Sequence, residues 1–431
     1  MASSRKSQPS PNSGKRIAVA LSGGLDSVVL LDTVCKAQAI NKKTQIYAFH
    51  IHHGLQKQAD DWLIFCEKLA QKYKIHFDFR LLHLTGNQEQ GNIEARARAG
   101  RYEALTDLCA AYGINDLLLA HHQNDQAETV LLQLLRGAGV AGTAGMPSTR
   151  ELKIKEGKIT LWRPLLEQSK QELEAYAKEY KLKWIDDPSN QDSKYRRNAI
   201  RKKIIPALEK IQPEAIANLA RSAGLLAEAQ TLLDRLAIQD AKTIFIKDGI
   251  QLKPLLELAK KDLPAANNVL RYWFKMNALM MPSQERLAAW WRDLNIVKAG
   301  AQLEWAHDEK SIRLWRGVLQ IEDLKLGKWV FKTIPSASKT LGLPSQWFKE
   351  AHKNGLIAQK ERSGSEKIQV KANTPRKNLK NLFQEGDIPP WQRHAPLLYI
   401  NGDLIAVAGV GVSYPHLVAT GIRVLPVWTM G

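Results

Sequence analysis

Cysteine is scarce in this chain: Cys35, Cys66 and Cys109 are the only three among 431 residues. They stand far apart and form no Cys-x-x-Cys pair. That excludes a cysteine-based zinc site and a disulfide framework, and it suits a reducing cytoplasm. Long apolar runs are missing as well. None approaches the roughly 18 residues that a membrane-spanning helix needs, so no membrane partner is expected. The stretch 1–16 lacks the apolar core of a secretory signal, and residues 1–14 read as a disordered tail. Carboxylates are in deficit: Asp+Glu 43 against Lys+Arg 62 leaves a formal net charge of +19. Such an excess points to a polyanionic partner, nucleic acid first, because phosphates attract Lys and Arg over long range and release counterions on binding. Hydrophobic residues at 44% and charged residues at 24% exclude collagen-like, coiled-coil and wholly disordered chains. At about 150 residues per domain, the length fits two or three domains.

What is present begins with a strand. Residues 16–21 form a short, mostly apolar run that stops at Gly23-Gly24, the pattern of a buried strand. A helix is expected over 28–37, a strand over 45–51, an amphipathic helix over 60–73 and a strand over 75–84. Helix 94–112, strand 116–120 and helix 125–136 follow. This alternation implies an α/β fold, a parallel sheet with helices on both faces and one ligand-binding edge at the strand C-termini. From about Pro213 the texture changes to Ala- and Leu-rich segments with helical spacing, at 215–237, 254–276 and 284–295. Strands return at 312–321 and 329–334, and short strands with Gly and Pro turns run to Leu425. The expected organisation is a catalytic domain over 15–210, a helical domain over 211–324 and a small mixed α/β domain over 325–431.

Three clusters carry chemistry. The first is Ser22-Gly23-Gly24-Leu25-Asp26-Ser27, between the first strand and the first helix. Its glycines allow a tight turn and close ligand approach, and helix N-terminal N–H groups with two hydroxyls suit a phosphate. Asp26 would repel that phosphate unless a cation such as Mg²⁺ lay between them. The plain alternative is a strand–turn–helix with a serine cap. The string lacks the Gly-Lys-Ser/Thr ending of a Walker A loop and matches instead the PP-loop of ATP pyrophosphatases, a class that adenylates its substrates.

The second cluster is His121-His122-Gln123-Asn124-Asp125-Gln126-Ala127-Glu128-Thr129, on the same expected edge. Asp125 and Glu128 fall on one helical face, where two carboxylates would hold an ammonium group or a metal. The alternative is capping, with Asn124 or Asp125 as N-cap and Glu128 closing a capping box. The third cluster is Asp186-Asp187-Pro188-Ser189-Asn190 with Lys194-Tyr195-Arg196-Arg197-Asn198-Ala199-Ile200-Arg201-Lys202-Lys203. On a helix, Arg197, Arg201 and Ile204 would stack into a basic strip suited to phosphates, or else form a solvated face. Glu94, Arg98 and Arg101 form a further helical row, either an ion-pair set or part of an RNA-facing surface.

In combination these tracts resemble the tRNA(Ile)-lysidine synthetase family. The likeness adds Tyr102, Arg136-Gly137, Arg163-Pro164-Leu165, Arg376-Lys377-Asn378-Leu379-Lys380, Pro389-Pro390-Trp391-Gln392-Arg393 and Ala408-Gly409-Val410-Gly411-Val412. It covers most of the chain, with the helical middle least distinctive. One departure stands at Arg362-Ser363-Gly364-Ser365-Glu366, where the family often has an Arg-x-Gly-Asp-type turn. Here the acid is displaced by one position.

The resemblance implies an ATP-dependent ligase acting on the wobble cytidine of the CAU anticodon of tRNA(Ile). ATP adenylates the cytosine oxygen, the ε-amino group of free L-lysine displaces AMP, and the tRNA changes identity from Met to Ile. It assigns Ser22, Gly23, Gly24, Leu25, Asp26 and Ser27 to ATP, Asp26 also to Mg²⁺, and Asp125 and Glu128 to lysine. His122 or its neighbour His121 would act in adenylation, and Arg197 would stabilise the α-phosphate. Arg98, Arg101, Arg201, Lys377, Lys380 and Arg393 would contact tRNA. Trp391 would stack on a base or pack in the core. The oligomeric state stays open, with a homodimer one possibility. Rival readings are a thiolating PP-loop enzyme, for which the cysteine spacing is wrong, an amidotransferring one, for which no glutaminase domain is present, and a non-catalytic RNA-binding module.

Overall fold

The computed structural model describes residues 15–40, 44–52, 59–82, 93–154, 157–186, 196–247, 249–297, 303–308, 310–323 and 327–429. The tail 1–14 and the tract from Asp187 to Tyr195 lie outside the described residues, as does the side chain of Glu94. The chain divides into two units, Met1–Leu233 and Asp234–Gly431.

The first unit is built on strands β1 (Arg16–Ala20), β2 (Gln45–His52), β3 (His76–Leu81), β4 (Asp116–Leu118), β5 (Thr149–Ile154) and β6 (Gly157–Trp162). Their order across the sheet is β3-β2-β1-β4-β6-β5. All neighbours are parallel except the β5–β6 pair, an antiparallel edge hairpin that the alternation of strand and helix did not announce. Such a hairpin needs no crossover helix, so it leaves no helical pattern between its strands.

Helices α1 (Leu25–Ile40), α2 (Ala59–Tyr73), α3 (Ile93–Tyr112), α4 (Gln123–Leu134), α5 (Val140–Thr143) and α6 (Lys170–Glu179) accompany the sheet. Strand residues alternate between its faces. Val19, Leu21, Ile46, Ala48 and Leu118 pack with α1, α2 and α6, whereas Ala18, Tyr47, Phe49, Leu117 and Leu161 pack with α3. The central strands are therefore apolar on both sides. Helix α1 starts at Leu25, earlier than the apolar spacing suggests, because the PP-loop itself turns into the helix. Helices α7 (Arg196–Ala199) and α8 (Ile205–Ile211) flank a π-helical turn, Ile200–Ile204, and α9 (Ala215–Asp240) follows.

The chain leaves β1 toward β2 and β3 on one side and returns to β4 on the other. Parallel sheets open a crevice at such a switch point, beyond the strand C-termini. The 22–27 loop follows β1 and the His121-His122 pair follows β4, so both clusters border that crevice.

In the second unit, the expected helix 254–276 is two helices, Leu252–Lys261 and Leu263–Met276. Asp262 breaks them: its side chain caps the Ala265 N–H, and Pro264 stands in the first turn of the second helix, where a missing N–H is harmless. The expected strand 312–321 is a hairpin, Lys310–Trp315 with Val318–Asp323. It turns at Arg316-Gly317, both at positive φ (47° and 78°), the two-residue geometry that matches strand twist. This hairpin belongs to a five-stranded antiparallel sheet beside the helices, so the region 211–324 is not helical alone. Beyond it, Lys328–Ile334 pairs with Arg423–Thr429 along its whole length, and Leu397–Ile400 pairs with Asp403–Val407.

Candidate active site

The 22–27 loop is shaped by its own hydroxyls. Ser27 Oγ donates to the Gly24 carbonyl at 2.9 Å and accepts the Gly23 N–H at 3.1 Å, and Ser22 Oγ donates to Ser27 Oγ at 3.1 Å. Gly23 has φ +90°, and a Cβ there would lie 3.2 Å from both Cys66 Sγ and Ile185 Cδ1. Glycine is required by conformation and by space. From outside, Ile185 N–H donates to the Gly23 carbonyl at 2.9 Å, and His50 Nδ1 bonds the Leu21 carbonyl at 2.8 Å. The first N–H groups of α1 have no intrahelical acceptor and carry the positive end of the helix dipole. Together these features form an anion cradle.

Asp26, in the first turn of α1, has one carboxylate oxygen 3.6 Å from His122 Nε2. Its other oxygen, Oδ1, is buried with no hydrogen-bond partner among the described residues. A desolvated carboxylate oxygen beside an anion cradle fits Mg²⁺, a hard cation that one carboxylate shares with phosphate and water oxygens. Among the described residues, no three or more His, Cys, Asp or Glu side chains are arranged to hold a metal. A cation here would therefore rest on Asp26 and the phosphates.

Helix α4 is capped by His122, not by Asn124 or Asp125. Its Nδ1 accepts the Asn124 N–H at 3.2 Å, and Asp125 Oδ2 accepts the His122 N–H at 3.1 Å, closing the box with Asp125 in the place expected for Glu128. The cap leaves the Nε2 proton of a neutral ring between Asp26 and Asp125 (3.6 and 3.5 Å). Burial works against charging this ring, but Asp26, Asp125 and Glu128 outweigh burial and raise its pKa above the usual imidazole value. His121 is the opposite case. Burial, reinforced by Arg163, Arg98 and Arg197, pushes it down to about 3, and its Nδ1 accepts from Arg163 Nε at 3.3 Å. The adjacent rings thus divide into one neutral and one that is readily protonated.

Glu128 is 1% exposed. Its Oε2 accepts from Arg197 Nε at 2.6 Å and Arg201 Nη2 at 3.0 Å, and its Oε1 accepts from Arg201 Nε at 2.5 Å. Asp125 Oδ1 accepts from Arg197 Nη2 at 3.1 Å and lies 3.6 Å from Arg201. Burial acts against the Asp125 charge, yet His122, Arg197 and His121 hold its carboxyl below the usual carboxylate range. The π-helical turn changes the expected strip: Arg197 and Arg201 converge on one carboxylate, while Ile204 points outward, half-exposed.

Three stretches match known domain families: the PP-loop domain over residues 2–208, the TilS substrate binding domain over 254–320 and the TilS substrate C-terminal domain over 358–424. The tRNA(Ile)-lysidine synthase of Burkholderia pseudomallei is 35% identical, covering 92% of this chain and 89% of its own length. The chain belongs to the tRNA(Ile)-lysidine synthase family. The synthase of Nitrosomonas europaea is 34% identical over 95% of this chain and 90% of its own, and that of Legionella pneumophila 35% over 93% and 92%.

Of the residues singled out on family resemblance, Asp26, His122, Asp125, Glu128, Arg197 and Arg201 meet in the crevice. Arg98 and Arg101 are exposed on α3, with Arg98 over the Tyr102 ring. Lys377, Lys380 and Arg393 belong to the second unit. Lys380 is exposed, Lys377 binds Glu385 at 2.8 Å, and Arg393 donates to the Ile388 carbonyl at 2.7 Å. Trp391 packs edge-to-face on Trp315 beneath the Arg313 guanidinium. The departed family turn closes all the same: the longer Glu366 reaches back to the N–H groups of Ser363 and Gly364.

One residue near the site, His50, escaped the sequence reading, and Arg163 entered it only through the family resemblance, with no role attached. His50 lies two residues before the C-terminal end of β2, with its pKa lowered by burial, and Arg163 buries its guanidinium against His121 and the Pro147 carbonyl. The His50-Ile51-His52 string at a strand end was the available signal. The cysteines are buried, and burial pushes each thiol up to about 12, which suits core packing and not sulfur chemistry.

Proposed function

We propose that the switch-point crevice is where this chain makes lysidine. As a member of its family, the chain is an ATP-dependent ligase that forms lysidine in tRNA(Ile), and its PP-loop domain implies ATP use. The observation that carries the site assignment is the meeting of Asp26 and His122, which join the phosphate cradle after β1 to the capped helix after β4.

In this reading Ser22, Gly23, Gly24, Leu25 and Ser27 hold the pyrophosphate end of ATP through backbone N–H groups and hydroxyls. Mg²⁺ at Asp26 would offset phosphate charge and favour pyrophosphate as a leaving group. The Nε2 proton of His122 lies where it can be given to, or taken from, an oxygen at the adenylation centre. Arg197 steadies the α-phosphate. The carboxylates of Asp125 and Glu128 receive an ammonium group of L-lysine, and a carboxylate there accepts the proton that the attacking amine must lose.

Apart from Arg201, the RNA-contacting residues lie outside the crevice. Arg98, Arg101, Arg201, Lys377, Lys380 and Arg393 contact phosphates, which give affinity, while a cytosine turned out of the anticodon loop gives specificity. The working division is catalytic over 15–210, with tRNA-binding domains over 211–324 and 325–431, in a cytoplasmic enzyme. No described helix is long and apolar enough to cross a membrane.

The test is incubation with ATP, Mg²⁺, radiolabelled lysine and unmodified CAU-anticodon tRNA(Ile), with Asp26→Ala as control. Label enters the tRNA with the natural chain and falls by about a thousandfold with the variant if Asp26 stabilises the transition state. Equal labelling by the variant would remove Asp26 from the chemistry. No turnover of ATP with any tRNA would favour an RNA-binding module.

A further inference from the structure

The carboxylates proposed to receive lysine already hold cations. Glu128 and Asp125 contribute two negative charges, and Arg197 and Arg201 contribute two positive ones. This pair of acids is therefore balanced. An ammonium group entering with both arginines in place would find Asp125 and Glu128 already paired and would add a positive charge to their cluster, which a buried site resists. Removing one arginine leaves a single negative charge, the complement of one ammonium.

The two arginines are not equivalent. Arg197 bonds both acids, and its side chain is 18% exposed. Arg201 has its hydrogen bonds on Glu128 and is 36% exposed. Arg201 also sits in the π-helical turn Ile200–Ile204, a conformation that is rare and is found frequently at functional sites. Lys202 and Lys203 beside it are exposed. They extend a basic surface from the crevice outward, to which an RNA backbone is drawn.

We infer that the Arg201 guanidinium is a built-in stand-in for the substrate ammonium at Glu128, and that an RNA phosphate draws it away, opening the lysine site only when tRNA is bound. The inference rests on the reading that lysine binds at Asp125 and Glu128. Without a stand-in, Glu128 would be a buried carboxylate one cation short whenever lysine is absent. With it, the acids stay paired in the resting enzyme, and free lysine does not occupy the crevice ahead of its RNA.

Equilibrium dialysis of radiolabelled lysine against the full chain, with and without unmodified CAU-anticodon tRNA(Ile), tests this. The natural chain binds lysine weakly alone and about tenfold or more tighter with tRNA, as expected where the competent state is a minor one. Arg201→Gln binds lysine tightly without tRNA and loses the dependence. Arg201→Lys, which keeps a competing cation, stays weak without tRNA and shows that the gain is not a general loosening. If Arg201→Gln leaves tRNA-free lysine affinity unchanged or lower while Glu128→Gln abolishes binding, the stand-in is wrong and the lysine site is right. If Glu128→Gln binds lysine like the natural chain, the lysine site itself is wrong, and the stand-in falls with it.

Discussion

His122 Nε2 lies 3.6 Å from the Asp26 carboxylate, although the two residues belong to turns after different strands. The contact spans the point where the sheet reverses its order, and it makes the cap of α4 part of the phosphate site. A change in the protonation of His122 is felt at Asp26, and a cation on Asp26 is felt by His122.

The vicinal histidines should titrate in opposite directions. Ring-proton NMR of His122 should give a pKa above the ordinary 6.5 or so, and His121 should stay neutral until about pH 3. The linkage signs differ. His122, raised, adds stability that is full below about pH 6.5 and is lost as pH rises through its folded value. His121, lowered, must gain a proton on unfolding, so stability falls as pH drops from about 6.5 toward 3, and His121→Asn should flatten that fall. A His122 ring titrating below 6.5 would remove it as the proton-bearing partner of Asp26.

Gly23→Ala should strain the loop and weaken the cradle. The new methyl group must adopt φ +90° and meets Cys66 and Ile185 at 3.2 Å. A stability loss of about 1–2 kcal/mol is expected in urea unfolding. The KM for ATP should rise in parallel, since the Gly23 N–H orders Ser27 Oγ and the loop's donors move with the backbone. An unchanged KM would mean that this turn does not touch the nucleotide.

Asp32 holds the elements behind the loop. Buried in α1, it accepts from Tyr73 of α2 at 2.6 Å and Tyr176 of α6 at 2.7 Å, with Lys36 at 2.8 Å. Asp32→Ala leaves those donors without their acceptor and should lower stability by about 2–4 kcal/mol. Asp32→Asn, which keeps an acceptor, should lose less. Equal midpoints for both variants would assign the effect to packing alone.

Lys380 is exposed, so its role can be separated from folding. Lys380→Ala should leave the unfolding midpoint in place, weaken tRNA binding across all salt concentrations and reduce the salt slope of log K by about one. An unchanged slope would take Lys380 out of phosphate contact. Trp391→Ala, by contrast, should lower stability, because that ring packs between Trp315 and Arg313.

Contiguous features were legible in the order of the residues. The 22–27 loop was legible because strand, turn and helix N-terminus follow one another, so their N–H groups converge wherever the unit lies. The central parallel strands were legible because burial on both faces needs continuous apolar runs. Contacts between distant segments came only with folding. Asn124 and Asp125 were the expected caps, and only the geometry of the chain leaving β4 selects the His122 imidazole instead. Arg197 and Arg201 lie about 70 positions beyond Glu128, in a basic run that local spacing reads as a helical strip. Their side-by-side placement was expected, but their shared partner, the buried carboxylate of Glu128, comes from a different part of the chain. No local pattern records such a partner, because the desolvation that makes the pairing necessary arises only after the sheet, the helices and the crevice have formed.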